Sequence, residues 1–424
     1  MDKILEMAFT EPERWRKAID RAFDKGIEIA QLQKYCNEEY RVEVYKQIRD
    51  GRYHITPPHT ALIPKDKPGE FRKVYINENR DRILLSLVND LLFDLCPEMV
   101  HPRCRSYQTG ISCGDIVKDM SRRVVEAGEG VVGWKSDLSK YFDRVPLRYI
   151  DMAFDEVERK HGRSALIDVV REYYHTNLYL EKVDGEWVVF DQYQSLKQGC
   201  AVASWLADVI LYPIDDALSK MGHYCRYSDD QLFIGTQYME SMQVLEDMLA
   251  DMDMSINEKK REWIDRDHWF KFLGFSIKGH DISLSYNAIK KFQDEIEMIV
   301  ETAKSYKSGL HMLYRYLYIG NGEFSWATRV LRAVNVRRDI NLLNQYCMDA
   351  LRAIQTGKHD LGGLGWSRAQ KVGCISRGTG SNVKANRGRT DKMLEGYYTI
   401  GCMQNAMWAC RGAYESIVRE MKTA

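Results

Sequence analysis

A chain of 424 residues that is 45% hydrophobic and 11% aromatic is long enough for two or three packed units and can bury a sizeable core. Lys plus Arg and Asp plus Glu balance at 61 each, which excludes a global electrostatic pull toward nucleic acid and leaves only local ones. No apolar run approaches the roughly 18 residues a membrane helix needs, and MDKILEMAFTEPERW is interrupted by charge too often for a signal peptide, so no membrane association and a cytoplasmic location are expected.

In chain order, residues 1–50 carry apolar residues at helical spacing (Ile4, Leu5, Phe9; Ile19, Phe23, Ile27) and predict a helical N-terminal extension. ALIP and FRKVYI are β-prone runs on either side of KDKPGE, whose Pro and Gly mark a tight basic connection. RDRILLSLVNDLLFDL (80–95) reads as an amphipathic helix ending before Pro97. VVGWKSDL (131–138) reads as a buried strand, with a further helix after Pro146. LYLEKVDGEWVVFD is a hairpin, because Asp184 and Gly185 supply the positive φ angles of a tight turn. ASWLADVILYPIDDAL predicts one apolar helix, HYCRYSDDQLFIG two short strands hinged at Ser228 and Asp229, and FKFLGFSI (270–277) one more strand. Helix then dominates to about 355, and the Gly-, Ser- and Arg-rich segment after it cannot by composition offset its ordering entropy. A helical tail is expected from about 394.

Charge is segregated along this order. Residues 205–255 hold ten acids against Lys220 and Arg226. The stretch 302–338 holds Lys304, Lys307, Arg315, Arg329, Arg332, Arg337 and Arg338 against Glu323, and 366–390 holds Arg368, Lys371, Arg377, Lys384, Arg387 and Arg389 against no acid. An acidic middle before two basic stretches suits a protein that holds metal ions in one place and phosphates in another; each run taken alone reads equally as solvated surface. The ten cysteines show no CxxC pair or zinc spacing and read as reduced thiols.

The chemistry concentrates in Tyr227-Ser228-Asp229-Asp230 at the tip of the predicted hairpin, with Asp137 at the end of a predicted buried strand. Adjacent carboxylates on a tight turn repel and call for a cation. A third carboxylate completes an oxygen-ligand site for Mg²⁺, and two such ions about 4 Å apart serve an in-line nucleotidyl transfer.

With these residues in hand, the chain from about 55 to 280 resembles the reverse transcriptases, above all the bacterial enzymes related to those of group II introns. IPKDKPGEFRKV and RDRI resemble the fingers motifs, SDLSKYFDRV the first catalytic motif, QGCAVASWLAD the QG motif, RYSDD the catalytic hairpin, NEKK the lysine-bearing motif and FLGFSI the strand before the thumb. The resemblance implies an α+β right-hand polymerase of fingers, palm and thumb, with an antiparallel palm sheet and helical N- and C-terminal extensions. Its divisions are expected at 1–50, 51–284 (fingers and palm), 285–355 (helical thumb) and 356–424 (basic RNA-binding extension).

It implies Asp137, Asp229 and Asp230 as catalytic metal ligands for two Mg²⁺ ions, with Mn²⁺ as the alternative. Lys65 and Arg72 would grip the incoming deoxynucleoside triphosphate, with Lys73 in place of Arg72 if the register shifts by one. Gln198 and Gly199 would lie against its sugar and base, and Lys260, or Lys259 beside it, would assist pyrophosphate departure. Phe142 would exclude a 2′-hydroxyl. Arg329, Arg332, Arg337, Arg338, Arg368, Lys371, Arg377, Lys384, Arg387 and Arg389, with the hairpin 178–191, are candidates for RNA contact; interleaved Tyr314, Tyr316, Tyr318 and Trp326 could stack on bases or form an aromatic thumb core.

Departures narrow the resemblance. Lys197 stands where group II intron enzymes usually have Pro, Ala203-Ser204 where they have Ser-Pro, and no HNH-like, retron or diversity-generating hallmark is present. What remains resembles the small defence-associated reverse transcriptases, type 2 in particular. The expected partners are then a structured noncoding RNA as template, deoxynucleotides and the nascent, concatemeric cDNA. The competing readings are untemplated or protein-primed DNA synthesis and a non-catalytic RNA-binding scaffold.

Overall fold

The structure, a computed structural model, describes residues 2–24, 27–65, 69–108, 110–320, 325–330, 333–336, 339, 343, 346–347, 350 and 353–354. Helices α1 (Lys3–Thr10), α2 (Pro12–Asp24), α3 (Ile29–Cys36) and α4 (Glu38–Arg49) come first. Strands β1 (His59–Pro64) and β2 (Phe71–Ile76), helices α5 (Asn79–Leu95) and α6 (Cys113–Glu126), and strand β3 (Val131–Asp137) follow. Three helices, α7 (Tyr141–Arg144), α8 (Leu147–His161) and α9 (Ala165–His175), precede the hairpin β4 (Leu178–Val183) and β5 (Glu186–Asp191). Next are α10 (Val202–Val209), α11 (Tyr212–Met221), β6 (His223–Tyr227), β7 (Asp230–Ile234), α12 (Tyr238–Asp251) and β8 (Glu262–Asp265). Strands β9 (Phe270–Phe272), β10 (Phe275–Lys278) and β11 (Asp281–Leu284) lead to α13 (Tyr286–Thr302), α14 (Tyr306–Tyr314) and α15 (Trp326–Val330). The chain divides into two compact units, 1–109 with 132–264 and 110–131 with 265 onward.

The first unit holds two mixed-sequence sheets, ordered β2-β1-β4-β5 and β6-β7-β3-β8. Its N-terminal helices share the core of the later elements: Ile4, Leu5, Trp15, Leu32 and Ile48 bury in one cluster with Leu84, Val88, Leu91 and Phe154. Helix α2 is pinned along α5 by Arg14 to Asp94 at 2.6 Å and Arg21 to Asp90 at 2.5 Å. Asp2 starts α1 by accepting the Leu5 N–H at 3.0 Å, satisfying a donor that no earlier turn can reach. The RDRI segment also carries structure: Asp81, fully buried, accepts from the Tyr53 hydroxyl at 2.8 Å and the Thr56 N–H at 2.9 Å.

Two expected elements are divided. ASWLADVILYPIDDAL forms α10 and α11 rather than one helix, because Pro213 in the first turn of α11 has no N–H to continue the ladder from α10. FKFLGFSI forms β9 and β10, folded back on each other at Leu273 and Gly274, both with positive φ (49° and 83°). The β4–β5 turn holds Asp184 at φ 49° and Gly185 at φ 93°, as its sequence requires.

In the second unit, β11-β10-β9 form a sheet beside α6, whose Ser121 hydroxyl donates to the Gly279 carbonyl at 2.7 Å. Asn335 extends the edge of β11, accepting the Ile282 N–H at 2.8 Å and returning its own N–H to the Ile282 carbonyl at 3.0 Å. Tyr316 and Trp326 close on Phe292 at centroid distances of 6.0 and 4.6 Å, which makes them packing groups of this helical layer. Among the described residues no helix is long and apolar enough to cross a membrane, and five of the seven described cysteines are buried.

The close approach of β3 to β7 depends on Gly133: a Cβ there would fall 2.0 Å from the Phe233 carbonyl oxygen. Gly133→Ala is therefore expected to lower the unfolding free energy by about 2 kcal/mol or more, the scale of an overpacked interior. Equilibrium urea denaturation measures it, and an unchanged midpoint would contradict this strand spacing.

Candidate active site

Strand β3 delivers Asp137 because VVGWKSD is buried along most of its length, with Trp134 fully enclosed and donating Nε1 to the Ser241 hydroxyl at 2.9 Å. Antiparallel pairing with β7 sets Gly133 opposite Ile234 and, four steps on, Asp137 opposite Asp230. Directly paired residues hold their Cβ atoms about 5 Å apart, so two carboxylates distant in sequence become neighbours. Asp229 enters from the two-residue turn between β6 and β7, where Ser228 takes φ 58° and the Leu138 N–H reaches the Asp229 carbonyl at 3.2 Å.

Lys260 completes the group. The Asn257 N–H donates to the Asp137 carbonyl at 2.7 Å, docking the short helical turn Glu258–Lys260 against the end of β3. From there Lys260 Nζ reaches Asp137 Oδ2 at 2.6 Å. Burial pushes the Asp230 carboxyl up to about 6, reinforced by Asp229 and Asp137 and opposed by Lys135 and Lys260. Burial and the charge of Asp137 likewise raise Asp229. Burial pulls on the Lys260 ammonium, but its bond to Asp137 and the three carboxylates raise it on balance.

Among the described residues no three His, Cys, Asp or Glu side chains stand gathered as a finished metal cage. The donor set nevertheless fits a hard divalent cation: it is all carboxylate, its members disfavour one another's charge, and the group nearest Asp137 is itself a cation.

The remaining candidates divide by strand face. Along β2, Arg72 pairs with Ile63 and Lys73 with Leu62, so the two basic residues point to opposite faces. Lys73 is engaged with Glu181 at 2.5 Å and lies over the Tyr179 ring. Arg72 lies near enough to the acids for its charge to oppose, with Lys260, the upward shift of Asp229 and, with Lys140 and Lys65, that of Asp143. Gly199, at φ 109°, lies against β2, where a Cβ would come within 2.7 Å of the Tyr75 carbonyl. That contact, with the Tyr75 N–H donating to the Gln198 carbonyl at 2.7 Å, already requires glycine. Phe142 is half-buried on α7, edge to face with Tyr141. Lys259, in the same turn as Lys260, is exposed.

Arg329 is exposed on α15, while Arg332, Arg337, Arg338, Arg368, Lys371, Arg377, Lys384, Arg387 and Arg389 lie outside the described residues. The acidic run 205–255 proves not to be wholly solvated surface. Asp208, Asp215 and Arg226 are fully buried beneath the Ser228 turn, a grouping that charge counting along the sequence could not separate from exposed acids.

A family model described as reverse transcriptase (RNA-dependent DNA polymerase) matches residues 63–277. No curated protein matches. Similar solved structures include apo telomerase from Candida tropicalis, 13% identical over 87% of this chain and 65% of that chain, with a TM-score of 0.45. A form of it truncated from its C-terminal domain is 15% identical over 55% of each chain, TM-score 0.43. Telomerase from Candida albicans in complex with a TWJ fragment of telomeric RNA is 12% identical over 92% of this chain and 71% of that chain, TM-score 0.46. The chain thus spans 55% and 65% of the length of the two Candida tropicalis chains.

One neighbour of Gln198 carries a measurable signature. Lys197 is 1% exposed, donates to the Thr176 carbonyl at 2.7 Å and sits over the Tyr173 ring. Burial lowers its pKa from 10.5 to about 8. Between those values the unfolded chain still binds a proton that the folded chain has released, so this residue's contribution to stability rises with pH across the window and is least favourable below it. Relative to Lys197→Met, the wild type should gain about 2 to 3 kcal/mol between about pH 8 and pH 10. Parallel urea denaturations at the two pH values test this, and an unchanged difference would refute a depressed lysine.

Proposed function

We propose that this chain, which belongs to the reverse transcriptase (RNA-dependent DNA polymerase) family, builds DNA on an RNA template at the site formed by Asp137, Asp229 and Asp230. The observation that carries the reading is the placement of Asp137 opposite Asp230 across β3 and β7, beside the Ser228–Asp229 turn and Lys260. In right-hand terms the β2-β1-β4-β5 sheet corresponds to fingers and the β6-β7-β3-β8 sheet to palm. Residues 285–355 correspond to the thumb and 356–424 to a basic RNA-binding extension.

Two divalent ions, Mg²⁺ by preference and Mn²⁺ as substitute, would be held by the three aspartates and would activate the attacking 3′-hydroxyl while stabilising the leaving pyrophosphate. The chain's own groups do the rest. Arg72 and Lys65, on the side of the sheet that faces the acids, draw the triphosphate in and neutralise its oxygens. Lys260, whose Nζ stands 2.6 Å from Asp137 Oδ2, would neutralise charge on the departing pyrophosphate. Gln198 and the backbone at Gly199 border the sugar and base. Phe142 lies under the sugar and leaves no space for a 2′-hydroxyl.

The wider assignment is to bacterial antiphage defence of the type 2 kind, in which a dedicated structured noncoding RNA is copied repeatedly into concatemeric cDNA. It draws support from the motif pattern and from the basic segments after residue 302. Sequencing nucleic acid bound to the purified wild type and to Asp229→Ala/Asp230→Ala tests both levels. DNA complementary to one RNA, absent from the variant, is expected. Random or homopolymeric DNA would indicate untemplated or protein-primed synthesis, and full biological activity of the variant would indicate a scaffold. Phe142→Ala should raise ribonucleotide incorporation by about tenfold or more, the scale of a removed steric discriminator. Primer extension with competing nucleotides checks it, and unchanged selectivity would remove the role assigned to Phe142.

A further inference from the structure

Beneath the Ser228–Asp229 turn lies a fully buried arginine whose hydrogen bonds can be counted to completion. Arg226 Nε and Nη2 hold the two carboxylate oxygens of Asp215 at 2.7 and 2.6 Å. Its second Nη2 hydrogen goes to the Asp208 carbonyl at 2.7 Å, and Nη1 donates to the carbonyls of Ala207 at 3.1 Å and Ser228 at 3.2 Å. A guanidinium has five N–H donors, and all five are committed. The Asp208 carboxylate, 3.8 Å away and as deeply enclosed, therefore receives none of them and has only the neighbouring Cys104 thiol and Ser106 hydroxyl to turn to.

The recipients say what the arginine is for. Ala207 and Asp208 close α10, whose last carbonyls have no partner in a further turn. The Ser228 carbonyl belongs to the residue that bears the left-handed φ of 58°, a conformation unfavourable for a side chain other than glycine. The opposite side of that residue is also held, because the Ser228 N–H donates to the Ser106 hydroxyl at 2.7 Å. The backbone of Arg226 is itself fixed by the Arg103 carbonyl at 3.0 Å and the Arg105 N–H at 2.8 Å. The turn that presents Asp229 is thus clamped from both sides by groups that touch neither carboxylate.

We propose that Arg226 is a positioning residue which, through the Ser228 carbonyl and against the counter-hold of Ser106, fixes the turn so that Asp229 and Asp230 meet Asp137 around a divalent cation. The Asp208 side chain, 3.8 Å from Nη1, feels the charge of the guanidinium but takes none of its hydrogen bonds. Asp215 supplies the compensating charge that lets Arg226 stay buried. This rests on the metal-site reading given under Proposed function.

The test reads metal binding directly, by Mn²⁺ electron paramagnetic resonance on the purified full chain without substrate, together with Mg²⁺-dependent primer extension. Arg226→Lys keeps the charge but cannot span both Asp215 and the carbonyls. It is expected to weaken Mn²⁺ binding about fivefold or more and lower kcat about tenfold or more, with KM for deoxynucleotide changed less than about twofold, the signature of lost positioning rather than lost binding. Asp208→Asn, equal in shape, is expected to keep Mn²⁺ affinity within about twofold. A loss there as large as that of Arg226→Lys would shift the role to the Asp208 charge and overturn the proposal. Wild-type Mn²⁺ affinity and kcat in folded Arg226→Lys would also overturn it.

Should Arg226→Lys not fold, Ser106→Ala decides. It removes the acceptor for the Ser228 N–H, together with the contact to the Cys104 thiol at 3.2 Å, and is expected to weaken Mn²⁺ binding in the same sense, and unchanged binding refutes the clamp. The two levels separate cleanly. Failure of the metal-site reading appears as Mn²⁺ affinity unchanged in Asp229→Ala/Asp230→Ala and takes this inference with it. Loss in that variant with no effect of Arg226→Lys refutes the inference alone.

Discussion

Asp137 and Asp230 face each other across β3 and β7, and the repulsion between them shapes what surrounds them. Two unit charges about 5 Å apart, the Cβ spacing of directly paired strand residues, repel by about 3 kcal/mol at an effective dielectric near 20, a large share of the stability of an ordinary domain. The fold meets this in two ways. One is the partial retreat of Asp230 from ionisation, its pKa pushed up to about 6 by burial first and by Asp229 and Asp137 in addition. The other is Lys260, brought to Asp137 by a helical turn that hangs on the same residue's backbone carbonyl. Strand register, a backbone bond and a side-chain ion pair thus converge on one aspartate, and a divalent cation bound there would offset the repulsion.

Much of this was legible in the sequence because it depends on local chemistry. The buried strand ending at Asp137, the Ser228–Asp229 hinge and the Asp184–Gly185 turn were each written in residues adjacent in the chain, and each element lies where its pattern put it. The divided elements were less legible for a definite reason. Pro213 and the Leu273–Gly274 pair interrupt apolar runs that otherwise read as continuous, and apolar texture outweighs a single interruption until the partner strand or helix is known. Charge was the least legible. Asp208, Asp215 and Arg226 counted as members of an acidic surface run, yet all three are enclosed, because the pairing of Arg226 with Asp215 joins positions eleven residues apart on different elements.

The choice between neighbouring basic residues turns on the strand that carries them. The resemblance placed Arg72 first, with Lys73 as the alternative one register step away, since both follow the same loop. Once β2 is a strand, alternation sends them to opposite faces, and the existing partners favour Arg72 for the proposed contact: Lys73 is engaged with Glu181 and Tyr179, whereas the charge of Arg72 bears on Asp229 and Asp143. A side chain already bound in an ion pair and over a ring would have to give up both contacts to reach a ligand, and Arg72 would not.

Gly199 carries a similar lesson in the other direction. The family pattern assigns it to close approach by substrate, but the backbone of Tyr75 comes closer still, and the positive φ alone would exclude most side chains. The glycine joins the segment before α10 to the β2 strand through the bond from the Tyr75 N–H to the Gln198 carbonyl. That bond couples the strand carrying Arg72 to the residue beside the proposed sugar site. A side chain at position 199 would therefore disturb both proposed substrate contacts, those of Arg72 and Gln198, through the backbone before it met any substrate.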